Sequence, residues 1–161
     1  MESIVATYDV ADRSAIVTGA GSGIGRAIAI LLAANGAAVV VADIDKPGAE
    51  QVTSEILAAR GRAVSFIGDV SKPEVNAALV TAAQELAPLR IAVNNVGIGA
   101  SQVPVAELPV DAWKRVIDIN LNSTFYGLQA QIPAIAGNGG GSVVNMASVL
   151  GSVGMANQAS T

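Results

Sequence analysis

Five short apolar runs recur along the chain and are separated by stretches with helical periodicity. The runs cover residues 15–18, 38–42, 63–67, 91–93 and 142–146. Runs of this length that are rich in Val, Ile and Ala are typical of strands buried on both faces of a parallel sheet. Because parallel neighbours need a crossover connection, and helical stretches lie between the runs, the sequence predicts an α/β fold with a doubly wound parallel sheet.

The intervening stretches predict four helices, over residues 24–35, 47–60, 71–86 and 111–136. Ser71 is the predicted N-cap of the third helix, because Ser71 and Glu74 have capping-box spacing. In the first helix, the predicted buried face consists of Ile24, Ala27, Ile28, Leu31 and Leu32. In the fourth helix, it consists of Trp113, Val116, Ile117, Asn120, Leu121, Thr124, Leu128 and Ile132.

Composition excludes several functions. Nine Lys and Arg residues against thirteen Asp and Glu give a net charge of −4 without a basic run, so we expect neither nucleic acid nor membrane as partner. The absence of cysteine and histidine removes the commonest metal ligands, and no metal site is predicted. No apolar stretch approaches the ~20 residues of a bilayer span. The N-terminus lacks a signal-peptide pattern, so we expect one cytoplasmic domain over residues 1–161.

A glycine-rich loop joins the first apolar run to the first predicted helix. It reads Thr18-Gly19-Ala20-Gly21-Ser22-Gly23-Ile24-Gly25. The spacing is G-x-x-x-G-x-G and not the better-known G-x-G-x-x-G of dinucleotide-binding proteins. Glycines here permit a tight turn, let amides approach a pyrophosphate and let the helix pack against the sheet, while the helix N-terminus favours negative charge. The sequence predicts dinucleotide binding by Gly19, Gly21, Ser22, Gly23, Ile24 and Gly25; a glycine turn without a ligand is the alternative.

Asp43 ends the second apolar run, 24 residues beyond Gly19. A carboxylate at this point accepts hydrogen bonds from both hydroxyls of the adenosine ribose and repels a 2′-phosphate. We therefore predict that Asp43, with Ile44 beside it, selects NAD over NADP. Two alternatives stay open: an aspartate that caps the next helix, a role that Asp45 fits better, and an effect of the nearby Lys46 in favour of NADP.

These motifs resemble those of the short-chain dehydrogenase/reductase family, and the resemblance continues in order along nearly the whole chain. The loop matches the family's T-G-x-x-x-G-x-G pattern, and Asp69-Val70 match the pair that touches the adenine. The stretch Asn94-Asn95-Val96-Gly97 matches N-N-A-G, with Val in place of Ala. The resemblance implies a Rossmann-like sheet, and it adds further residues to the predicted NAD site: Asp69, Val70, Asn95, Val96 and Gly97.

The resemblance also implies two catalytic residues. Asn120 matches the helix asparagine that helps to hold a water in a proton relay; an asparagine simply bonded to backbone is the alternative. Ser148 matches the second serine of N-x-S-S-x-x-G, which hydrogen-bonds the substrate oxygen, while Ala147 replaces the first. An ordinary hydroxyl at a strand end is the alternative for Ser148.

The family's Tyr-x-x-x-Lys motif normally follows this serine by about a dozen residues, and residues 149–161 contain neither Tyr nor Lys. Tyr8 and Tyr126 lie outside this position and are interpreted as packing residues. Since the alkoxide formed by hydride transfer needs a proton donor, we expect very weak catalysis from this chain alone. The predicted sheet is thus truncated after five strands, and its fifth strand becomes an exposed apolar edge.

The sequence therefore predicts an incomplete NAD-binding domain of an oxidoreductase that interconverts a small alcohol and a ketone or aldehyde. A non-catalytic dinucleotide-binding or interaction module is the second hypothesis. An unrelated nucleotide-binding protein is the third, although the Gly-Lys-Ser/Thr of a P-loop is absent. The resemblance implies association through the fourth and the following helix, and the uncharged residues 119–136 agree with it, so a homo-oligomer, dimer or tetramer, is expected. Residues 119–161 carry no charged side chain at all; a buried helix and central strand is one explanation, and cover by more polypeptide or by another subunit is the other.

Overall fold

All five predicted strands form one parallel sheet in the computed structural model, which describes residues 10–99 and 101–159. The strands are β1 (Ser14–Thr18), β2 (Ala38–Asp43), β3 (Arg62–Ile67), β4 (Leu89–Asn94) and β5 (Ser142–Asn145). Their order in the sheet is β3-β2-β1-β4-β5, and every neighbouring pair is parallel. The order reverses at β1, so the carboxyl ends of β1 and β4 open a crevice at the topological switch point.

Helices cover both faces of the sheet, which confirms the predicted doubly wound architecture. They are α1 (Gly23–Ala34), α2 (Lys46–Ala58), α3 (Pro73–Leu86), α4 (Val110–Val116) and α5 (Ser123–Gly137). Helices α1 and α2 pack on one face, and α3 and α5 pack on the other. The predicted fourth helix is thus α4 and α5, joined without a break by the π-helical segment Ile117–Asn122.

The alternation of side chains along β1 and β2 builds the two cores. Ala15 and Val17 face α1 and α2, whereas Ile16 faces α3 and α5. All three side chains are fully buried. Each buried Val or Ile stabilises the fold by roughly 1.5–3 kcal/mol, so these two strands anchor both layers.

The predicted face of α1 is right for Ile28 and Leu32, which are half-buried against the core, and wrong for its other three residues. Its buried residues are Gly25, Ala29 and Ala33. Ile24 is 62% exposed, Leu31 is exposed as well, and Ala27 also faces solvent. The reason is steric, since small residues let the helix lie close to the sheet, and this outweighs the pull of the larger apolar side chains.

The buried face of α5 also differs from the prediction. It consists of Ser123, Gly127, Gln131 and Ile135. Leu121 and Ile132, predicted to be buried, are exposed, as is Trp113 on α4. A Cβ at Gly127 would stand 2.8 Å from Asn94 Oδ1, so the absent side chain allows this helix to approach β4.

The predicted capping box of the third helix is not formed. Helix α3 begins at Pro73 with Lys72 as its N-cap, so Ser71 lies outside the helix. The Ser71 amide instead donates to Asp69 Oδ1 at 3.0 Å. This turn holds the Asp69 carboxylate just after β3, so Ser71 supports Asp69 and does not cap the helix.

Strand β5 lies at one edge of the sheet, beside β4. Val144 on this strand is exposed, and only Val143 is half-buried among its apolar residues. The described chain thus has the apolar edge that the sequence predicts. None of the helices within residues 10–99 and 101–159 is both long and apolar enough to cross a membrane.

Candidate functional site

A cleft of about 460 Å³ opens where the carboxyl ends of β1, β2, β3 and β4 meet. We call it the strand-end cleft. Every predicted cofactor-binding residue except Gly21 and Gly25 lines it. The cleft is lined by Gly19, Ser22, Gly23, Ile24, Ala42, Asp43, Ile44, Gly68, Asp69, Val70, Asn95, Val96, Gly97, Ile98, Arg115 and Ile119. The loop, the two strand-end aspartates and the Asn-Val-Gly turn therefore share one cavity, although they lie far apart in sequence.

Glycines shape the loop in distinct ways. Gly19 and Gly23 have φ values of +63° and +53°, a region that side chains rarely adopt. Gly25 is a packing residue, since a Cβ there would stand 2.6 Å from Asn95 Nδ2 and even closer to the Gly19 carbonyl oxygen. Gly25 is buried and does not line the cleft, so its predicted role in cofactor binding is indirect.

The N-terminus of α1 has amides without acceptors. The first N–H groups of any helix have no partner within the helix. Ser22, the N-cap of α1, makes no side-chain capping hydrogen bond. By contrast, Asp45 caps α2 by accepting from the Gly48 amide at 3.1 Å. Since α1 begins at the strand-end cleft with its amides uncapped, it offers a site for an anion such as a diphosphate.

Asp43 connects the end of β2 to the glycine loop. Its Oδ2 accepts from the Gly21 amide at 2.8 Å, and its Oδ1 accepts from the Asp45 amide at 2.9 Å. A carboxylate has about four lone-pair sites, so these two bonds leave capacity for a ligand in the cleft. The helix cap is Asp45, as the sequence analysis favours, and Lys46 is paired with Glu50 at 3.7 Å.

Asn95 braces the same loop from β4. Its Nδ2 donates to the Thr18 carbonyl at 2.9 Å and to the Gly19 carbonyl at 3.3 Å. Its backbone amide donates to Thr18 Oγ1 at 2.9 Å. The Asn95 side chain thus holds the loop through its Nδ2, and it also lines the cleft.

Asp69 offers an acceptor at the opposite end of the cleft. Hydrogen bonds from Ser71 lower the pKa of Asp69 below its ordinary value, against the opposing effect of partial burial. The positive charges of Lys72 and Arg115 lower this pKa further. Asp69 is therefore ionised at neutral pH, and it can accept a hydrogen bond from an amino group in the cleft.

A second cavity, of about 530 Å³, adjoins the strand-end cleft and shares Ile24 and residues 95–98 with it. We call it the neighbouring hollow. Both predicted catalytic residues line it, together with apolar residues of α4 and of the turn after β5. The lining consists of Ile24, Asn95, Val96, Gly97, Ile98, Trp113, Val116, Ile117, Asn120, Leu121, Met146, Ala147, Ser148, Gly151 and Ala159, and it contains no ionisable side chain.

The two predicted catalytic side chains are held by backbone groups. Asn120, in the π-helical segment, accepts from the Ile98 amide at 2.8 Å and donates to the Ile98 carbonyl at 3.0 Å. Ser148 Oγ accepts from the Leu150 amide at 3.1 Å. Both side chains thus hydrogen-bond to the backbone, as in the alternative given for Asn120, and the Ser148 hydroxyl keeps its own hydrogen to donate.

Sequence reasoning missed a buried polar network behind the site. Asn94 Nδ2 donates to Gln131 Oε1 at 3.1 Å and to Asn145 Oδ1 at 2.9 Å. Gln131 Nε2 donates back to Asn94 Oδ1 at 2.8 Å, and Gln131 is only 1% exposed. The network joins β4, β5 and α5, and thus holds together the two strand ends that precede the hollow. The signal available in the sequence was the i, i+4 spacing of Gly127 and Gln131, which places them on the same face of the helix.

Arg115 and Ile119 also line the strand-end cleft and were missed. Both come from the α4 region, for which the sequence predicts only the catalytic Asn120 and subunit association. Only the fold brings this helix beside the end of β3.

Known proteins of similar sequence are dehydrogenases. The family model for short chain dehydrogenase matches residues 13–160. The chain is 42% identical over 147 residues to cyclohexanol dehydrogenase from Acinetobacter sp. (strain SE19), covering 91% of this chain and 59% of that relative. It is 40% identical over 148 residues to 2-dehydro-3-deoxy-L-rhamnonate dehydrogenase (NAD(+)) from Sphingomonas sp. (strain SKA58), covering 91% and 58%.

Solved structures extend the similarity to the fold. The chain matches 7α-hydroxysteroid dehydrogenase complexed with NADH and 7-oxo glycochenodeoxycholic acid with a TM-score of 0.88 and 34% identity. The match covers 93% of this chain and 58% of that one. The chain therefore spans about three-fifths of the length of these proteins.

Proposed function

Since this chain belongs to the short chain dehydrogenase family, we propose that it forms the NAD(H)-binding part of an oxidoreductase that interconverts an alcohol and a ketone or aldehyde. One observation carries the proposal. The uncapped N-terminus of α1 opens into the strand-end cleft, and the Asp43 carboxylate and the Asn95 amide hold its loop from two sides. The diphosphate of the cofactor binds the free amides of this helix.

Preference for NAD over NADP rests on Asp43. Its carboxylate lines the cleft, and its unused lone pairs accept the ribose hydroxyls, whereas a 2′-phosphate would meet like charge. Lys46, the cation nearest in sequence, is paired with Glu50. Two similar proteins agree with this preference, since one was solved in complex with NADH and the other is a dehydrogenase named for NAD(+).

The adenine occupies the end of the cleft near Asp69, whose ionised carboxylate accepts from the exocyclic amino group. The lowered pKa of Asp69 keeps this acceptor ionised across the neutral range. Val70 is buried beside it, and Gly68 also lines the cleft. The opposite end, at Val96 and Gly97, adjoins the neighbouring hollow and holds the nicotinamide.

The neighbouring hollow receives the substrate. When bound, the nicotinamide supplies or accepts a hydride. The Ser148 hydroxyl donates a hydrogen bond to the substrate oxygen, and Asn120 holds the backbone after β4 in place through Ile98. Because no ionisable side chain lines the hollow within residues 10–99 and 101–159, the substrate is a neutral, largely apolar alcohol or ketone.

Proton transfer is the weak step for these 161 residues. A hydroxyl such as that of Ser148 is a poor acid without a neighbouring base or cation. The residues after Ser148 provide neither Tyr nor Lys, so this chain binds cofactor and orients substrate but turns over very slowly. A non-catalytic dinucleotide-binding module is the competing function, and the tests below separate the two.

Self-association is proposed through one face of the α5 region. Leu121, Phe125, Leu128 and Ile132 follow i, i+4, i+7 and i+11 spacing, which aligns them on one side of a helix. Leu121 is 61% exposed, and Phe125 and Ile132 are exposed as well. A contiguous apolar row of this kind is typical of a subunit interface, so the chain forms a homo-oligomer through it.

Titration with NADH and NADPH tests cofactor binding. We expect NADH to bind at least about tenfold more tightly than NADPH. Asp43→Asn should weaken the binding of NADH by about 10- to 100-fold, because a charge-assisted hydrogen bond contributes ~1.5–3 kcal/mol. The same change should leave the binding of NADPH unchanged or make it tighter. Asp45→Asn, two residues away and outside the cleft, is the matched control and should change neither constant. Tighter binding of NADPH by the unmodified chain would overturn the assignment.

Ser148 can be tested in a chimera that continues residues 1–161 with the corresponding C-terminal part of the Acinetobacter relative. We expect the chimera to oxidise a cyclic secondary alcohol with NAD. Ser148→Ala should reduce kcat by roughly 100- to 1000-fold, the usual loss for one positioned donor. Ser152→Ala, an exposed serine outside the hollow, should retain kcat. Full activity of the Ser148→Ala chimera would remove Ser148 from the reaction.

Sedimentation of a Phe125→Glu variant tests the interface. The unmodified chain should sediment as a dimer or larger species at micromolar concentration, and the new carboxylate in the apolar row should shift it to the monomer. Leu57→Glu, which charges an exposed apolar position on α2, should keep the oligomer. An oligomer that survives Phe125→Glu but not Leu57→Glu would move the interface to α2.

A further inference from the structure

Arg115 stands at the rim of the strand-end cleft, on the last turn of α4. It lines the cleft together with Asp43, Ile44 and Asp69. It also lines a shallow depression on the outer side, which shares Ile44 and Asp69 with the cleft. No residue of the glycine loop lines this depression. Arg115 therefore lies at the end of the cleft away from the diphosphate site.

The Arg115 side chain has no fixed partner in the part of the chain that the structure describes. It makes no hydrogen bond or salt bridge there, its charge acts on Asp69 only by electrostatic attraction, and the side chain is exposed. Three other arginines differ, because Arg26 pairs with Glu55, Arg62 donates to the Leu86 carbonyl, and Arg90 donates to the Asn138 carbonyl. A guanidinium at a cleft mouth without a partner is available to a ligand.

The surroundings of Arg115 determine which part of a ligand it meets. Ile44 and Ile119 provide apolar surface at the same end of the cleft, and Ile44 is 71% exposed. The Asp69 carboxylate provides a hydrogen-bond acceptor beside them. Apolar walls, one acceptor and a planar cation match a flat aromatic heterocycle with an amino group at its edge.

We propose that Arg115 is an adenine-binding residue, whose guanidinium closes the cleft over the face of the ring while Asp69 accepts from its edge. This inference rests on the proposed binding of NAD(H), and it adds a residue from α4 to the adenosine site. The planar group stacks on the ring, and its charge is attracted to the π face.

Binding of fragments separates this role from the rest of the site. The unmodified chain is titrated with NADH, with ADP-ribose, which keeps the adenosine, and with nicotinamide mononucleotide, which lacks it. Arg115→Ala should weaken the binding of NADH and of ADP-ribose by roughly 3- to 30-fold, the range for a cation against an aromatic face. It should leave the affinity for nicotinamide mononucleotide unchanged. Arg115→Lys should recover only part of this loss, because Lys lacks the planar group.

Lys114→Ala is the matched control. Lys114 is the adjacent exposed cation and lines the outer depression but not the cleft, so its removal should change each dissociation constant by less than about twofold. Since Arg115 is exposed and makes no bond within the described chain, the melting temperature of Arg115→Ala should match that of the unmodified chain.

Three results would overturn the inference. Equal ADP-ribose affinity of the unmodified chain and Arg115→Ala would remove Arg115 from the site. If Arg115→Ala lost more affinity for NADPH, titrated in parallel, than for NADH, Arg115 would instead be assigned to the 2′-phosphate. Full recovery of affinity by Arg115→Lys would leave only a charge effect. Failure of the unmodified chain to bind either NADH or ADP-ribose is a different outcome, since it would overturn the proposed function and this inference together.

Discussion

The close approach of helix α1 to the end of strand β1 is the constraint on which the site depends. Gly25 is packed against the Gly19 carbonyl and the Asn95 side chain, with no space for a Cβ. This distance places the N-terminal turn of α1, which has no side-chain cap, in the lining of the cleft. The bonds from Gly21 to Asp43 and from Asn95 to Thr18 then fix the loop from β2 and β4.

The described residues provide more of the groups needed to bind a cofactor than of those needed for catalysis. The strand-end cleft is lined by the N-terminal turn of α1, the Asp43 carboxylate and the ionised Asp69, the groups that we propose for the diphosphate, the ribose and the adenine. The neighbouring hollow has one hydroxyl that can donate, on Ser148, and it lacks an acid or a cation among its described residues. The polar network of Asn94, Gln131 and Asn145 joins β4, β5 and α5 behind the hollow.

The fold could be predicted from sequence because buried β-branched runs carry their own signal, independent of distant partners. Which of Asp43 and Asp45 caps α2 could also be predicted, since the answer depends only on where β2 ends and α2 begins. The faces of α1 and α5 could not be predicted from hydrophobicity, because Gly25 and Gly127 let backbones approach. Arg115 was missed for a further reason: only the crossover brings α4 beside β3.

We propose above all that the glycine loop and the carboxyl ends of β2, β3 and β4 hold a dinucleotide. Amide chemical shifts followed by NMR during an NADH titration test it most directly. The account predicts saturable shifts at residues 21–24, 68–70 and 95–97, with none in the groove between α1 and α2 near Arg60. Saturable shifts confined to that groove, or no shifts at millimolar NADH, would contradict it.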